Sequence, residues 1–207
     1  FLLSRPSPDA AKPPQFFLIT AEHCLARTRA DEISVFFHKK NPDGSFEKAP
    51  LKLRIRQEGN PLWKKHPSLD VGIIPVTPPP HALPPAIPFG LLASDDDLER
   101  FEIHPGDTVR CIGFPHPNQF DPSDAGFGVV RSGCIAGYPL VPTRTTKTFL
   151  IDMNTFEGDS GAPVYLADDH RFLIGKTDPT PARLILGMMI GQHFLDEEFK
   201  AIYQTSK

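Results

Sequence analysis

The chain has 207 residues, 22 basic and 25 acidic side chains, a net charge of −3, 40% hydrophobic content and 24 prolines. That length suits one large domain or two small ones sharing an interface, and the near-balanced charge argues against nucleic acid or an anionic membrane as the main partner. No apolar run approaches the roughly 18 residues that span a bilayer, and the three cysteines, Cys24, Cys111 and Cys134, are too few and odd in number for a disulfide framework.

In chain order, Phe1-Leu2-Leu3 reads as the inside of a strand, so a segment is expected upstream of Phe1. Residues 16–19 are an apolar run suited to a buried strand, and residues 33–37 are β-branched and aromatic. Asn41-Pro42-Asp43-Gly44 has turn chemistry, and residues 51–56 alternate with period two, which together predict a hairpin with one face buried. Residues 70–76 predict another buried strand. The run from Pro78 to Pro88 lacks the amide donors that a central strand needs, so it is predicted to be a stiff link. Beyond it, residues 108–114, 128–135, 149–153, 161–166 and 184–190 read as strands between Gly, Pro and Asp turns. Phe194, Leu195, Phe199, Ile202 and Tyr203 recur at helical spacing near the end. The predicted organisation is an N-terminal β-barrel over 1–77 with its first strand truncated, a Pro-rich link over 78–100, a C-terminal β-barrel over 101–193 and a helix over 194–207.

Three local patterns carry chemistry. Residues 18–24 run an apolar strand directly into His23. Leu69-Asp70-Val71-Gly72-Ile73 sets a carboxylate at the mouth of a buried strand, and Gly158-Asp159-Ser160-Gly161-Ala162-Pro163 sets a serine between glycines. Each alone has an ordinary structural reading, as a strand-end histidine, a cap and a turn. Together they match what acyl transfer requires. A serine hydroxyl is a weak nucleophile that needs an adjacent base. Imidazole suits that role at neutral pH. The base needs a buried carboxylate to fix its tautomer, and the tetrahedral intermediate needs two backbone donors.

These motifs resemble those of trypsin-like serine peptidases. Thr20-Ala21-Glu22-His23-Cys24 is similar to the family's histidine motif, residues 69–73 to its aspartate motif, and residues 158–163 match its nucleophile motif except for Ala162. The order His, Asp, Ser is that of the chymotrypsin group. Gly106-Asp107-Thr108-Val109 with Gly113-Phe114-Pro115 further resembles the disulfide-poor bacterial HtrA-like branch. The resemblance implies an all-β fold of two six-stranded antiparallel Greek-key β-barrels, with a short C-terminal helix.

It also implies a serine endopeptidase acting on proteins or peptides through an acyl-enzyme. Ser160 would be the nucleophile, His23 the base, Asp70 the orienting group, and the amides of Gly158 and Ser160 the oxyanion hole. By alignment to the family, Asn154 and Thr155 form the base of the primary specificity pocket and Met189, Ile190, Gly191 and Gln192 its far wall. A neutral pocket of this kind suits a medium apolar or polar side chain. No metal or organic cofactor is implied. In zymogens of the family the residue matching Asp159 receives a newly freed N-terminal amine. No activation sequence occurs here, so Asp159 is expected to be held by an internal donor or by an upstream segment. The low cysteine count favours a cytoplasmic over a periplasmic or secreted setting, and a further domain beyond either end is compatible with the HtrA-like branch. The competing readings are a latent or inactive regulatory module of the same fold, or an esterase using the same groups.

Overall fold

The computed structural model describes residues 1–9, 11–80, 82, 86–115 and 125–192; the helix expected over 194–207 lies outside them. In chain order the elements are β1 (Leu2–Arg5), β2 (Gln15–Thr20), α1 (Glu22–Arg27), β3 (Glu32–Lys40), β4 (Phe46–Arg54), β5 (Arg56–Gln57), β6 (Asn60–Pro61), β7 (Lys64–Lys65), β8 (Gly72–Val76), β9 (Ile87–Pro88), α2 (Asp95–Arg100), β10 (Thr108–Gly113), β11 (Val129–Ile135), α3 (Thr143–Thr146), β12 (Ile151–Asp152), β13 (Pro163–Arg171) and β14 (Thr180–Met188). The molecule is therefore mostly strand, as expected of an all-β, chymotrypsin-like fold.

The strands fall into two groups. The first is a five-stranded sheet in the order β7-β8-β2-β1-β9, with the β3–β4 hairpin separate from it. Period-two patterning explains the hairpin: Leu51 and Leu53 are partly buried while Lys52 and Arg54 are exposed. Phe37 and Ala49, paired across it, pack with Val76 and Ala82 and against Leu2, Phe16 and Leu18. The second group is a five-stranded sheet in the order β12-β11-β10-β13-β14. Its core gathers Val109, Ile135, Val164, Leu166, Ala182 and Leu184 with Leu98 and Ile103 from the segment before it. Among the described residues each of the two larger sheets has five strands where six-stranded barrels are expected, and neither closes into a ring.

The proline-rich run returns alongside β1. Leu3 pairs with Ile87 and Ser4 with Pro88 in parallel register, at the sheet edge where a missing amide donor is tolerated. Leu92 then bridges to Ile185 of β14, so the chain crosses from the first sheet to the second within residues 88–92. Next comes α2, whose capping box joins Ser94 and Asp97 reciprocally and whose first turn holds Asp95, Asp96 and Asp97. No helix among the described residues is long and apolar enough to cross a membrane.

Candidate active site

The position of His23 is set by a short helix rather than by the end of β2 alone. β2 stops at Thr20, Ala21 is wholly buried, and α1 begins at Glu22, which places His23 in its first turn. Leu25 anchors the helix against Ile55 and Ile74. Gly72 of β8 allows that approach: a β-carbon there would lie 3.1 Å from Leu25 Cδ1 and 3.5 Å from Glu22 Cα. At the other end, the Arg56 guanidinium donates to the carbonyls of Leu25 at 3.0 Å, Ala26 at 3.2 Å, Thr28 at 2.5 Å and Ala30 at 3.1 Å. It thereby satisfies acceptors that the last turn of a helix leaves open.

Asp70 lies just before β8, on a turn organised by His66. The Nδ1 atom of His66 accepts the amides of Ser68 at 3.2 Å and Leu69 at 3.1 Å, and the His66 amide donates to Val71 O at 2.9 Å. Nothing local in the sequence marks the closure that His66 makes.

The Asp70 carboxylate grips His23 twice. Oδ1 accepts the His23 backbone amide at 2.9 Å, and Oδ2 lies 2.5 Å from ring Nδ1. An ionised carboxylate only accepts hydrogen bonds, so Nδ1 carries the proton and Nε2 is the free basic nitrogen. Partial burial opposes ionisation of Asp70, but the ring and amide bonds from His23 together outweigh it and hold the carboxyl below its ordinary range.

Ser160 sits on the turn between Asp159 and β13. Ala162 N donates to Asp159 O at 2.9 Å, Gly161 N to Met189 O at 2.8 Å, and Met189 N to Ala162 O at 2.9 Å, which fastens the turn to the chain leaving β14. Gly161 has φ +89°, and a β-carbon on it would lie 3.1 Å from Thr20 Cα and 3.2 Å from Ala21 N. The nucleophile turn therefore packs directly on the strand end that leads into His23. Among the described residues no hydrogen bond joins His23 Nε2 to Ser160 Oγ. In ligand-free enzymes such bonds are often long and tighten only with substrate.

Gly158 has φ +99°, a conformation that residues with a side chain rarely adopt, and a β-carbon on it would lie 2.7 Å from the Phe114 carbonyl oxygen. Neither its amide nor that of Ser160 has a hydrogen-bond partner among the described residues. The intervening Asp159 is turned into the protein and is 2% exposed. Its Oδ2 accepts the Phe156 amide at 2.7 Å and its Oδ1 accepts from Arg131 Nη2. Of the two holders expected for Asp159, the donor present is the internal one.

Of the residues assigned to the specificity pocket, Asn154 is exposed and Thr155 half-buried. Gln192 Nε2 donates to Thr155 Oγ1 at 2.5 Å, which joins the expected base to the expected far wall. Ile190 is half-buried, while Gly191 and Gln192 are exposed. Met189 is buried with Cys111 and Ala162, so its side chain belongs to the core beneath the turn and its backbone does the fastening. Residues 116–124 lie outside the described residues. All three cysteines are free; Cys111 and Cys134 do lie on adjacent strands, but Cys111 is registered with Arg131 and Cys134 with Thr108.

The family model of the trypsin-like peptidase domain matches residues 8–175, a span that includes His23, Asp70 and Ser160. The match identifies the family and does not distinguish its HtrA-like branch. No curated protein matches the chain.

Proposed function

We propose that this chain, which belongs to the trypsin-like peptidase family, is a serine endopeptidase whose Ser160, His23 and Asp70 act as one catalytic unit. Protein or peptide substrates follow from the family. The observation that carries the finer reading is the double grip of Asp70 on His23, through ring and backbone together, beside a serine turn seated on Thr20 and Ala21.

In the proposed reaction His23 Nε2 takes the Ser160 hydroxyl proton as Oγ bonds to the scissile carbonyl carbon. Asp70 keeps Nδ1–H oriented and stabilises the imidazolium. The amides of Gly158 and Ser160 hold the oxyanion. His23 then gives its proton to the leaving amine as the C–N bond breaks, and water, activated by the same nitrogen, releases the acyl group. The side chain accepted next to the scissile bond is uncharged and of small to medium size, because Asn154 and Thr155 carry no charge and Gln192 reaches across to Thr155.

The test is labelling of the purified chain with a fluorophosphonate probe, followed by a peptide-substrate library. Labelling of the wild type and none of Ser160→Ala is expected, and persistence of the label in that variant would refute the nucleophile assignment. A second reading, a latent module, draws on the unformed His23–Ser160 bond. It requires that the wild type remain unlabelled while correctly folded. Cleavage of esters but of no peptide in the library would point to an esterase. A further check bears on the seating of the turn: Gly161→Ala is expected to slow labelling on the order of 10²-fold by displacing the nucleophile from its base, and a rate equal to wild type would show that the contact with Thr20 does not set the geometry.

A further inference from the structure

Asp159 poses a problem that its neighbours in sequence do not solve. It stands between the two amides assigned to the oxyanion, yet its carboxylate is buried. A buried carboxylate persists only when paired and hydrogen-bonded. The Phe156 amide serves one oxygen. The other is served by Arg131, from the middle of β11 and 28 residues away in sequence.

Arg131 is itself nearly enclosed, with its side chain 11% exposed. Of its guanidinium donors, Nε and Nη1 are buried without a hydrogen-bond partner among the described residues. The Phe156 ring lies 5.7 Å from its central carbon. Its neighbour in register, Cys111, offers only a weak sulfur acceptor; burial pushes that thiol up, against the pull of Arg131, so it stays neutral. A cation so poorly served by other groups is placed there for Asp159. The backbone is also arranged to admit the pair. Gly113 of β10 leaves the space between them open: a β-carbon there would lie 2.8 Å from Arg131 Nη2 and 3.2 Å from Asp159 Cγ.

We infer that Arg131 is a positioning residue that holds the turn over 156–160 in its working shape from within the second sheet. The counter-charge that Asp159 needs is thereby supplied by the folding of the β10–β11 pair, and no cleavage step has to deliver it. The inference rests on the serine-peptidase reading for its catalytic consequence, whereas the hold on the turn is a property of the fold and is measured separately.

The experiment compares wild type, Arg131→Leu, Arg131→Lys and the paired variant Arg131→Leu with Asp159→Asn. Amide hydrogen exchange is read over 154–161 and, as an internal reference, over 180–188, alongside kcat and KM on the best library peptide. Arg131→Leu is expected to exchange faster over 154–161 with 180–188 unchanged, and to lose about 10²–10³-fold in kcat, the effect of losing one oxyanion donor, with KM nearly constant. Arg131→Lys should recover most of that loss. The paired variant contains no unpaired buried charge, so it tests the idea even where Arg131→Leu fails to fold; it too should exchange faster and turn over slowly. Exchange over 154–161 equal to wild type in the paired variant, or an unaltered kcat, overturns the inference. A folded wild type that neither labels nor cleaves would instead remove the peptidase reading, and the exchange comparison would still decide whether Arg131 holds the turn.

Discussion

Asp70→Asn is expected to lower turnover by about 10⁴-fold, the effect of presenting the wrong imidazole tautomer to the nucleophile. The geometry gives the reason. Asp70 accepts two hydrogen bonds from His23, one from the backbone amide and one from Nδ1–H. Asparagine has a single oxygen. If that oxygen stays on the amide, the new NH₂ group faces Nδ1, which must then become an acceptor. The ring proton moves to Nε2, and Ser160 loses its base. If the side chain flips, the backbone amide in the first turn of α1 loses its partner and two donors confront one another. The first arrangement removes the base and the second removes the backbone hold on His23, in both cases with a near-isosteric residue in place. The check is kcat for the variant together with nitrogen NMR of the His23 ring, which should report the proton on Nε2. A loss below tenfold, or a wild-type tautomer in the variant, would show that Asp70 does not orient the base. The same variant has a signature in acid. Because the folded carboxyl of Asp70 titrates below its unfolded value, its contribution is fully present above about pH 3.9 and is lost as pH falls through the lowered folded value. Urea-unfolding curves of wild type and variant should therefore differ above pH 4 and converge in stronger acid.

What the sequence disclosed and what it concealed divide along the range of the interactions involved. The alternation at 51–54 and the apolar run at 16–19 are local, and they became β4 and β2. The three chemical motifs are also local, and their order was enough to bring the family into view. By contrast α1 is only six residues long. Its stability comes from Arg56 and Asp70, which lie far along the chain, so a strand seemed to run straight into the histidine. The capping box of Ser94 and Asp97 is local, but α2 has only six residues and follows the proline-rich run, so no helical periodicity marks it in the sequence. That Asp159 needs an internal partner was legible from its place in the motif. That the partner is Arg131 depends on the register of β10 against β11 and on a glycine at 113, which no local pattern encodes. Met189 was assigned to the pocket by alignment, and its burial with Cys111 and Ala162 could be read only once the strands were packed.

Arg171→Leu is expected to destabilise the protein by about 3–5 kcal/mol, the range for removing one partner of a buried ion pair. Arg171 ends β13, and its guanidinium meets Asp107 with two bonds, Nη1 to Oδ1 at 2.9 Å and Nη2 to Oδ2 at 2.8 Å. It also donates to the carbonyls of Phe101 at 2.5 Å and Glu102 at 2.6 Å. Asp107 in turn accepts the His104 amide at 2.9 Å, and its carbonyl takes the Ile135 amide at 3.0 Å. One guanidinium thus ties the turn after α2, the start of β10 and the end of β11 to the far end of β13. Leucine would fill the space but leave the buried Asp107 side chain with the His104 amide as its one remaining donor among the described residues. The cost lies mainly in that abandoned carboxylate, and this can be separated from lost packing. The paired variant Arg171→Leu with Asp107→Asn should lose clearly less than the single variant, a non-additivity expected of groups in contact or in one hydrogen-bonded network. Urea unfolding at neutral pH measures both. A single variant within about 1 kcal/mol of wild type, in the range of an exposed pair, would show that the lock contributes little to folding. Because the site turn is fastened through Met189 and Arg131 rather than through Arg171, kcat measured well below the melting temperature should stay at its wild-type value even where stability has fallen.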